Sequence, residues 1–331
     1  MPLTFEECNR IFGNDDIGAL AGDPNGVRYL KLRSLNRREA LERLFDLSHH
    51  AKPDGNAAIL FRAAFESDIT AGQIETCIRE IYGEERALRR GQEADLVNQL
   101  YRVQEFNWGG LHQNSLEKTI VDNYVKKIRN YDRLNEAIEH ELFASMRGYV
   151  LCSWYNHWTS IMIEDVFKDH ANVLPAVGLV KKIDFFIKDT PFDLKVTYLP
   201  EGYLAVTRQQ SGLRPELTLL KQAARRFGIP IPDDLPTSAL MQDLWSKVSD
   251  HPDAACQAVV RELHEFRNQL VARLRDDPAG LIKWLYEEQG VRRFDASNRL
   301  FLVLVDQRNY FESWKLKRAR PLFGSPSPCL P

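Results

Sequence analysis

Residues 181–199 read Lys-Lys-Ile-Asp-Phe-Phe-Ile-Lys-Asp-Thr-Pro-Phe-Asp-Leu-Lys-Val-Thr-Tyr-Leu, two short apolar runs around a turn. Three charges are set into those runs: Asp184 in the first, Asp193 and Lys195 in the second. An apolar strand seldom carries charge unless the charge is paired or holds a metal. Asp193-Leu194-Lys195 is the only place in the chain where an acid stands two residues before a lysine. Side chains alternate between the faces of a strand, so Asp193, Lys195 and Thr197 share one face. Phe192, Leu194, Val196 and Tyr198 share the other. Taking Asp189-Thr190 as a two-residue loop pairs Ile187 with Phe192 and Phe186 with Asp193, and sets Asp184 opposite Lys195. All three charges then fall on one side of a hairpin, and a slip of one residue would separate them. The turn lacks the Asn-Gly or Asp-Gly pair that fixes a hairpin locally.

Two carboxylates beside a lysine form a hard-oxygen site suited to Mg²⁺. A metal held there polarises a phosphodiester and lowers the pKa of a bound water. The lysine is placed to orient or deprotonate that water, or to neutralise charge on the phosphorus centre.

This hairpin resembles the active-site hairpin of the PD-(D/E)XK nuclease superfamily, to which most type II restriction endonucleases belong. Asp184 matches the first acid of the pattern, and Asp193 and Lys195 match its acid-x-Lys; Ile183 stands where the family usually has Pro. Many members add a Glu from the helix before the first strand. Glu164, in Trp-Thr-Ser-Ile-Met-Ile-Glu-Asp-Val-Phe-Lys, matches that position, with its neighbour Asp165 as the alternative. The resemblance spans roughly residues 150–200 and a later core strand. It implies an α/β fold of mixed type, a restriction-endonuclease-like core sheet flanked by helices, with a helical N-terminal region and a helical insertion. It implies Asp184, Asp193 and Glu164 as ligands of one or two Mg²⁺, with Lys195 completing the catalytic set.

The rest of the chain fits a soluble enzyme. Its 331 residues suffice for one large domain or two. No run is long and apolar enough to span a membrane; residues 149–163 are the most apolar, are interrupted by Asn156 and His157, and read as a buried helix. The N-terminus lacks the basic and apolar regions of a signal peptide. Cys8, Cys77, Cys152, Cys256 and Cys329 are scattered without metal-ligand spacing, which points to a reducing cytoplasm and against structural zinc.

A net charge of −2 excludes binding to DNA by bulk charge alone, so any nucleic-acid surface is a local patch. The candidates are Lys181 and Lys182 before the hairpin, Gln209 and Gln210 after it, and Lys315, Lys317, Arg318 and Arg320 behind the aromatic residues Tyr310, Phe311 and Trp314. Further basic pairs are Arg225-Arg226 and Arg292-Arg293, with Arg86, Arg89 and Arg90 upstream.

Organisation follows from capping and periodicity. Thr4-x-x-Glu7 and Thr70-x-x-Gln73 read as capping boxes at helix starts. Leu41, Leu44, Phe45 and Leu47 carry helical spacing. Residues 1–110 read as a helical N-terminal region that binds DNA or a partner, ending near Asn107-Trp-Gly-Gly. Residues 111–323 read as the nuclease core, with a helical insertion over about 215–297, and residues 324–331 as a loose tail. Pro215 opens the insertion's first helix and Gly228 closes it. Residues 202–208 suggest a third strand or an extension of the second. The run Arg-Leu-Phe-Leu-Val-Leu-Val-Asp, residues 299–306, reads as a central strand covered on both faces.

The expected protein is a Mg²⁺-dependent endonuclease acting on double-stranded DNA. By analogy with restriction enzymes it is a homodimer cutting a short palindrome, with a companion DNA methyltransferase and no membrane association. The alternatives are a partner-regulated nonspecific defence or repair nuclease, and a non-catalytic nucleic-acid-binding or scaffold protein.

Overall fold

The structure, a computed structural model, describes residues 2–106, 118, 120–178, 180, 182–288 and 298–319. It is a mixed α/β fold in which helices predominate and a four-stranded sheet is small. Its contacts divide the chain into two compact units: residues 1–194 with 296–300 and 317–331, and residues 195–295 with 301–316. The division passes through two of the strands.

In the first unit, α1 (Phe5–Gly13), α2 (Ile17–Ala21), α3 (Pro24–Ser34), α4 (Arg38–Ser48), α5 (Ala57–Glu66) and α6 (Ala71–Leu100) follow one another. Both capping boxes form: Thr4 and Thr70 accept from the backbone of Glu7 and Gln73, whose side chains return to the cap backbone. The end of α5 is closed differently. The guanidinium of Arg28 donates to the carbonyls of Ala64, Phe65, Ser67 and Ile69, taking up acceptors that a helix end leaves open. Tyr29, Leu30 and Leu32 of α3, Leu44 of α4, Phe61 of α5 and Ile74 and Ile78 of α6 form a core with Leu174, Val180, Ile183 and Phe186. The helices before residue 107 therefore share a hydrophobic core with the hairpin. The boundary expected near residue 110 and the tail at 324–331 lie outside the described residues.

The sheet-bearing part begins with α7 (Tyr131–Glu136), which runs through a π-helical stretch, Ala137–Leu142, into the long α8 (Phe143–Lys168). Three strands follow: β1 (Val173–Pro175), β2 (Phe185–Ile187) and β3 (Thr190–Tyr198). β4 (Asn298–Leu304) returns at the end, and the order in the sheet is β1-β2-β3-β4. β2 pairs antiparallel with both β1 and β3. Gly178 sits on the approach to the hairpin, where a Cβ would lie 2.4 Å from the Ser34 carbonyl oxygen. Only glycine permits that approach.

Two strand expectations are corrected. Residues 202–208 belong to a helix, α9 (Glu201–Gln210), whose buried residues Leu204 and Arg208 are four apart, one helical turn. β4 is a strand as expected, but it ends the sheet order and its side chains are mostly half-buried, so it is no doubly covered central strand.

The second unit holds α9 and, within the span expected to be a helical insertion, α10 (Glu216–Arg226), α11 (Thr237–Ser249), α12 (Ala254–Asp276) and α13 (Ala279–Glu288). Pro215 caps α10, and Gly228 takes φ of +69° just past its end. Leu220, Ala224, Leu244, Val248, Cys256 and Leu263 pack α10, α11 and α12 together. One buried ion pair crosses this core: Arg267 donates to both carboxylate oxygens of Glu216 and lies under Trp245, Tyr310 and Phe311, at 4.9, 5.0 and 5.5 Å from their centroids. Removing one partner strands the other's charge in a low-dielectric site. Glu216→Ala is expected to destabilise this unit by about 3–5 kcal/mol, read as a lower denaturation midpoint.

Candidate active site

The hairpin forms, with a register two residues away from the one expected. Phe185 pairs with Phe192, Phe186 with Pro191 and Ile187 with Thr190, so the loop is Lys188-Asp189. Lys188 takes φ of +55° there, and the Asp189 carboxylate is held at 2.7 Å by the buried ammonium of Lys31, which also binds Glu75 at 2.6 Å. A shift of two preserves the faces. It takes Lys195 out of its expected place opposite Asp184, whose bonds to β3 go to Phe192 and Leu194, with the charge of Asp193 nearby.

Asp184 stands at the mouth of β2 and is bound to β3 twice. Its N–H donates to the carbonyl of Phe192 at 2.8 Å, and its Oδ2 accepts the N–H of Leu194 at 2.7 Å. Asp193 is buried, and its Oδ2 lies 3.6 Å from Nε of Arg299, which is also buried. Glu164 comes from the last two turns of α8 and forms an ion pair with Lys168, one turn on, at 2.9 Å. Lys195 is two residues beyond Asp193 on β3 and half-buried, so strand alternation puts it on the face of Asp193.

The carboxylates feel one another. Burial pushes the Asp184 carboxyl up, and the charges of Glu164 and Asp193 push it further, against the Leu194 N–H and Lys168; the result is a value of about 6. Crowded acids of this kind gain most from a cation. The donors are hard oxygens, as Mg²⁺ requires. Lys168 and Arg299 now supply the positive charge, and among the described residues no three Asp, Glu, His or Cys side chains stand in an arrangement that could hold a metal ion. The carboxylates of Glu164, Asp184 and Asp193 have the donor chemistry a divalent cation takes, but as placed they do not form a site for one.

Asp165, the alternative to Glu164, points elsewhere. It is buried and accepts from Nε and Nη2 of Arg89, both at 2.8 Å. Arg86 and Arg90 are likewise engaged, both with Asp169. Arg86 is buried and Arg89 half-buried, so their pairing is internal, whereas Arg90 is exposed and pairs with Asp169 at the surface. His157 is exposed.

The basic candidates separate by burial. Gln209 and Gln210 are exposed at the end of α9. Lys182 is half-buried, 3.5 Å from Asp15. Lys315 pairs with Glu312 and lies over the Trp314 ring. Lys317 and Arg318 are corrected: both are buried, and neither presents a surface to phosphate. Lys317 donates to Oδ1 of Asn156 at 2.9 Å, and burial pushes its ammonium down to about 8. Arg318 donates to the carbonyls of Leu100 and Val103, both at 2.6 Å. Lys181, Arg292, Arg293 and Arg320 lie outside the described residues.

Lys168 and Arg299 were not foreseen as members of the site. A signal existed for each: Lys168 is four residues from Glu164 on a helix, and Arg299 opens an otherwise apolar strand. No family model, no curated protein and no solved structure matches the chain. Among the described residues no helix is long and apolar enough to cross a membrane.

Proposed function

We propose that the protein is a Mg²⁺-dependent endodeoxyribonuclease with a restriction-endonuclease-like core, and that it cuts double-stranded DNA at specific sites as a type II restriction enzyme. The observation that carries this reading is the gathering of acids at the hairpin: Asp184 is bonded to Phe192 and Leu194, on either side of Asp193, and burial together with the charges of Glu164 and Asp193 raises its carboxyl to about 6. Bound Mg²⁺, one ion or two, would polarise the phosphodiester and acidify a water. Asp184, Asp193 and Glu164 would hold it. Lys195 would orient the attacking water and either help to remove its proton or neutralise negative charge on the phosphorane as the new P–O bond forms and the leaving oxygen departs, protonated by solvent. Exposed Gln209 and Gln210, with Lys182 and Lys315, are the remaining candidates for contact with DNA. A homodimer and a protective methyltransferase belong to this proposal by analogy.

Digestion of unmethylated phage DNA tests it. Discrete fragments that require Mg²⁺ are expected. A smear would replace site specificity with the partner-regulated nonspecific nuclease. Binding without cutting would favour the non-catalytic reading, in which Lys168 and Arg299 neutralise the acids permanently.

A further inference from the structure

We propose that the ion network between α6 and α8, centred on Arg89 and Asp165, sets the rotation of α8 and thereby aims Glu164 at the hairpin. This makes Arg89, Asp165 and Asp169 positioning residues for the acid cluster, and it rests on the nuclease reading above.

The argument starts from helical geometry. Residues four apart share a stripe, and neighbours in sequence are turned by about 100°. The last two turns of α8 therefore carry two acid-headed stripes side by side, Glu164 with Lys168 and Asp165 with Asp169. The first stripe lies beside Phe167, three residues on from Glu164, whose ring stacks on Phe185 of β2 with centroids 6.0 Å apart, so it is turned towards the hairpin. The second faces α6. There Arg89 grips Asp165 through two nitrogens, both at 2.8 Å. Tyr82 donates its hydroxyl to Asp169 at 2.9 Å and to Asp165 at 3.3 Å. Arg86 and Arg90 reach Asp169 at 3.0 and 2.8 Å, and Glu93 balances Arg86 at 2.8 Å.

Glu164 and Asp165 are adjacent acids, so the sequence alone permits α8 to turn and offer either of them to the arginines. A planar guanidinium clasping a carboxylate through two bonds has one good geometry. Asp169, one turn on, is held a second way, by Nε of Arg86, Nη2 of Arg90 and the Tyr82 hydroxyl. Two grips on one stripe fix the helix about its axis, and the adjacent stripe is fixed with it. Buried ion pairs are a weak source of net stability, and fixing one arrangement over another is their better-attested use.

The test measures Mn²⁺ binding to the purified full chain by electron paramagnetic resonance, beside thermal melting. Glu164→Gln is expected to weaken binding. Arg89→Lys keeps the charge and loses the fork, and is expected to weaken binding by about tenfold, as loss of an outer partner of a metal ligand does. In the double variant, Glu164→Gln with Arg89→Lys, no further loss is expected, because Arg89 acts only through Glu164. A merely structural role would give losses that add. Tyr82→Phe is the second probe should Arg89→Lys fail to fold, with the same non-additivity expected at smaller amplitude. If Glu164→Gln weakens binding while folded Arg89→Lys and Tyr82→Phe bind as the wild type does, or if the losses add, the positioning role is overturned alone. If Glu164→Gln itself binds Mn²⁺ unchanged, the metal assignment of Glu164 falls and the positioning role falls with it.

Discussion

Asp184→Asn is expected to lose DNA cleavage by about a thousandfold or more while melting no lower than the wild type at pH 8. The first half follows from its proposed role: a metal-ligating carboxylate supports several kcal/mol of transition-state stabilisation, and each 1.4 kcal/mol or so is a factor of about ten. The second half follows from its electrostatics. Burial and the charges of Glu164 and Asp193 raise the Asp184 carboxyl from 3.8 to about 6. A carboxyl whose folded value lies above its unfolded one opposes folding when ionised. That penalty is absent below 3.8, grows as pH rises towards 6, and is complete above it. At pH 8 it amounts to at most about 3 kcal/mol. The neutral amide escapes it, so the variant should melt a few degrees higher at pH 8, and the gain should vanish near pH 4. Activity and stability then move in opposite directions, the usual sign of a site held under strain for function. Thermal melts across pH, paired with cleavage rates, check both halves. A variant that is inactive because it unfolds at pH 8 would contradict the electrostatic account.

Lys195→Ala is expected to cost about 10²–10⁴ in cleavage rate, the range for a positioned proton-transfer group, with Mg²⁺ binding retained because lysine is no ligand. Lys195→Arg separates its two possible duties. Arginine keeps the positive charge and cannot give up a proton at any working pH. Recovery of most of the rate in Lys195→Arg would assign charge neutralisation, and no recovery would assign proton transfer. Single-turnover rates and Mg²⁺ titrations on the three proteins measure this. Loss of metal binding in Lys195→Ala would remove the lysine from its assigned place.

The local signals in the sequence were good guides wherever the structure is decided locally. Thr4 with Glu7 and Thr70 with Gln73 close helix starts using residues three apart, and Pro215 and Gly228 bracket one helix in the same way. The pairing of Asp184 was not local. No glycine marks which turn residue takes a positive φ, and the loop is settled by Lys31, a residue 158 positions away that holds Asp189. Residues 202–208 looked strand-like because Tyr203, Leu204 and Val206 are apolar; only the burial of Leu204 and Arg208, one turn apart, reveals the helix. Lys317 and Arg318 looked like a basic patch because their acceptors, Asn156, Leu100 and Val103, lie far off in the sequence. The choice of Glu164 over its neighbour Asp165 likewise depended on Arg89, 76 residues from Asp165. The residue types of the candidate site could be picked out from the sequence, and the partners they take in the fold could not.

The most direct test of the central claim is cleavage of an unmethylated supercoiled plasmid by the wild type, Asp193→Ala and Lys195→Ala, each with Mg²⁺ and with EDTA. The account predicts defined products from the wild type with Mg²⁺ alone and none from either variant. Cleavage that persists in both variants, or that proceeds in EDTA, would place the chemistry outside this hairpin.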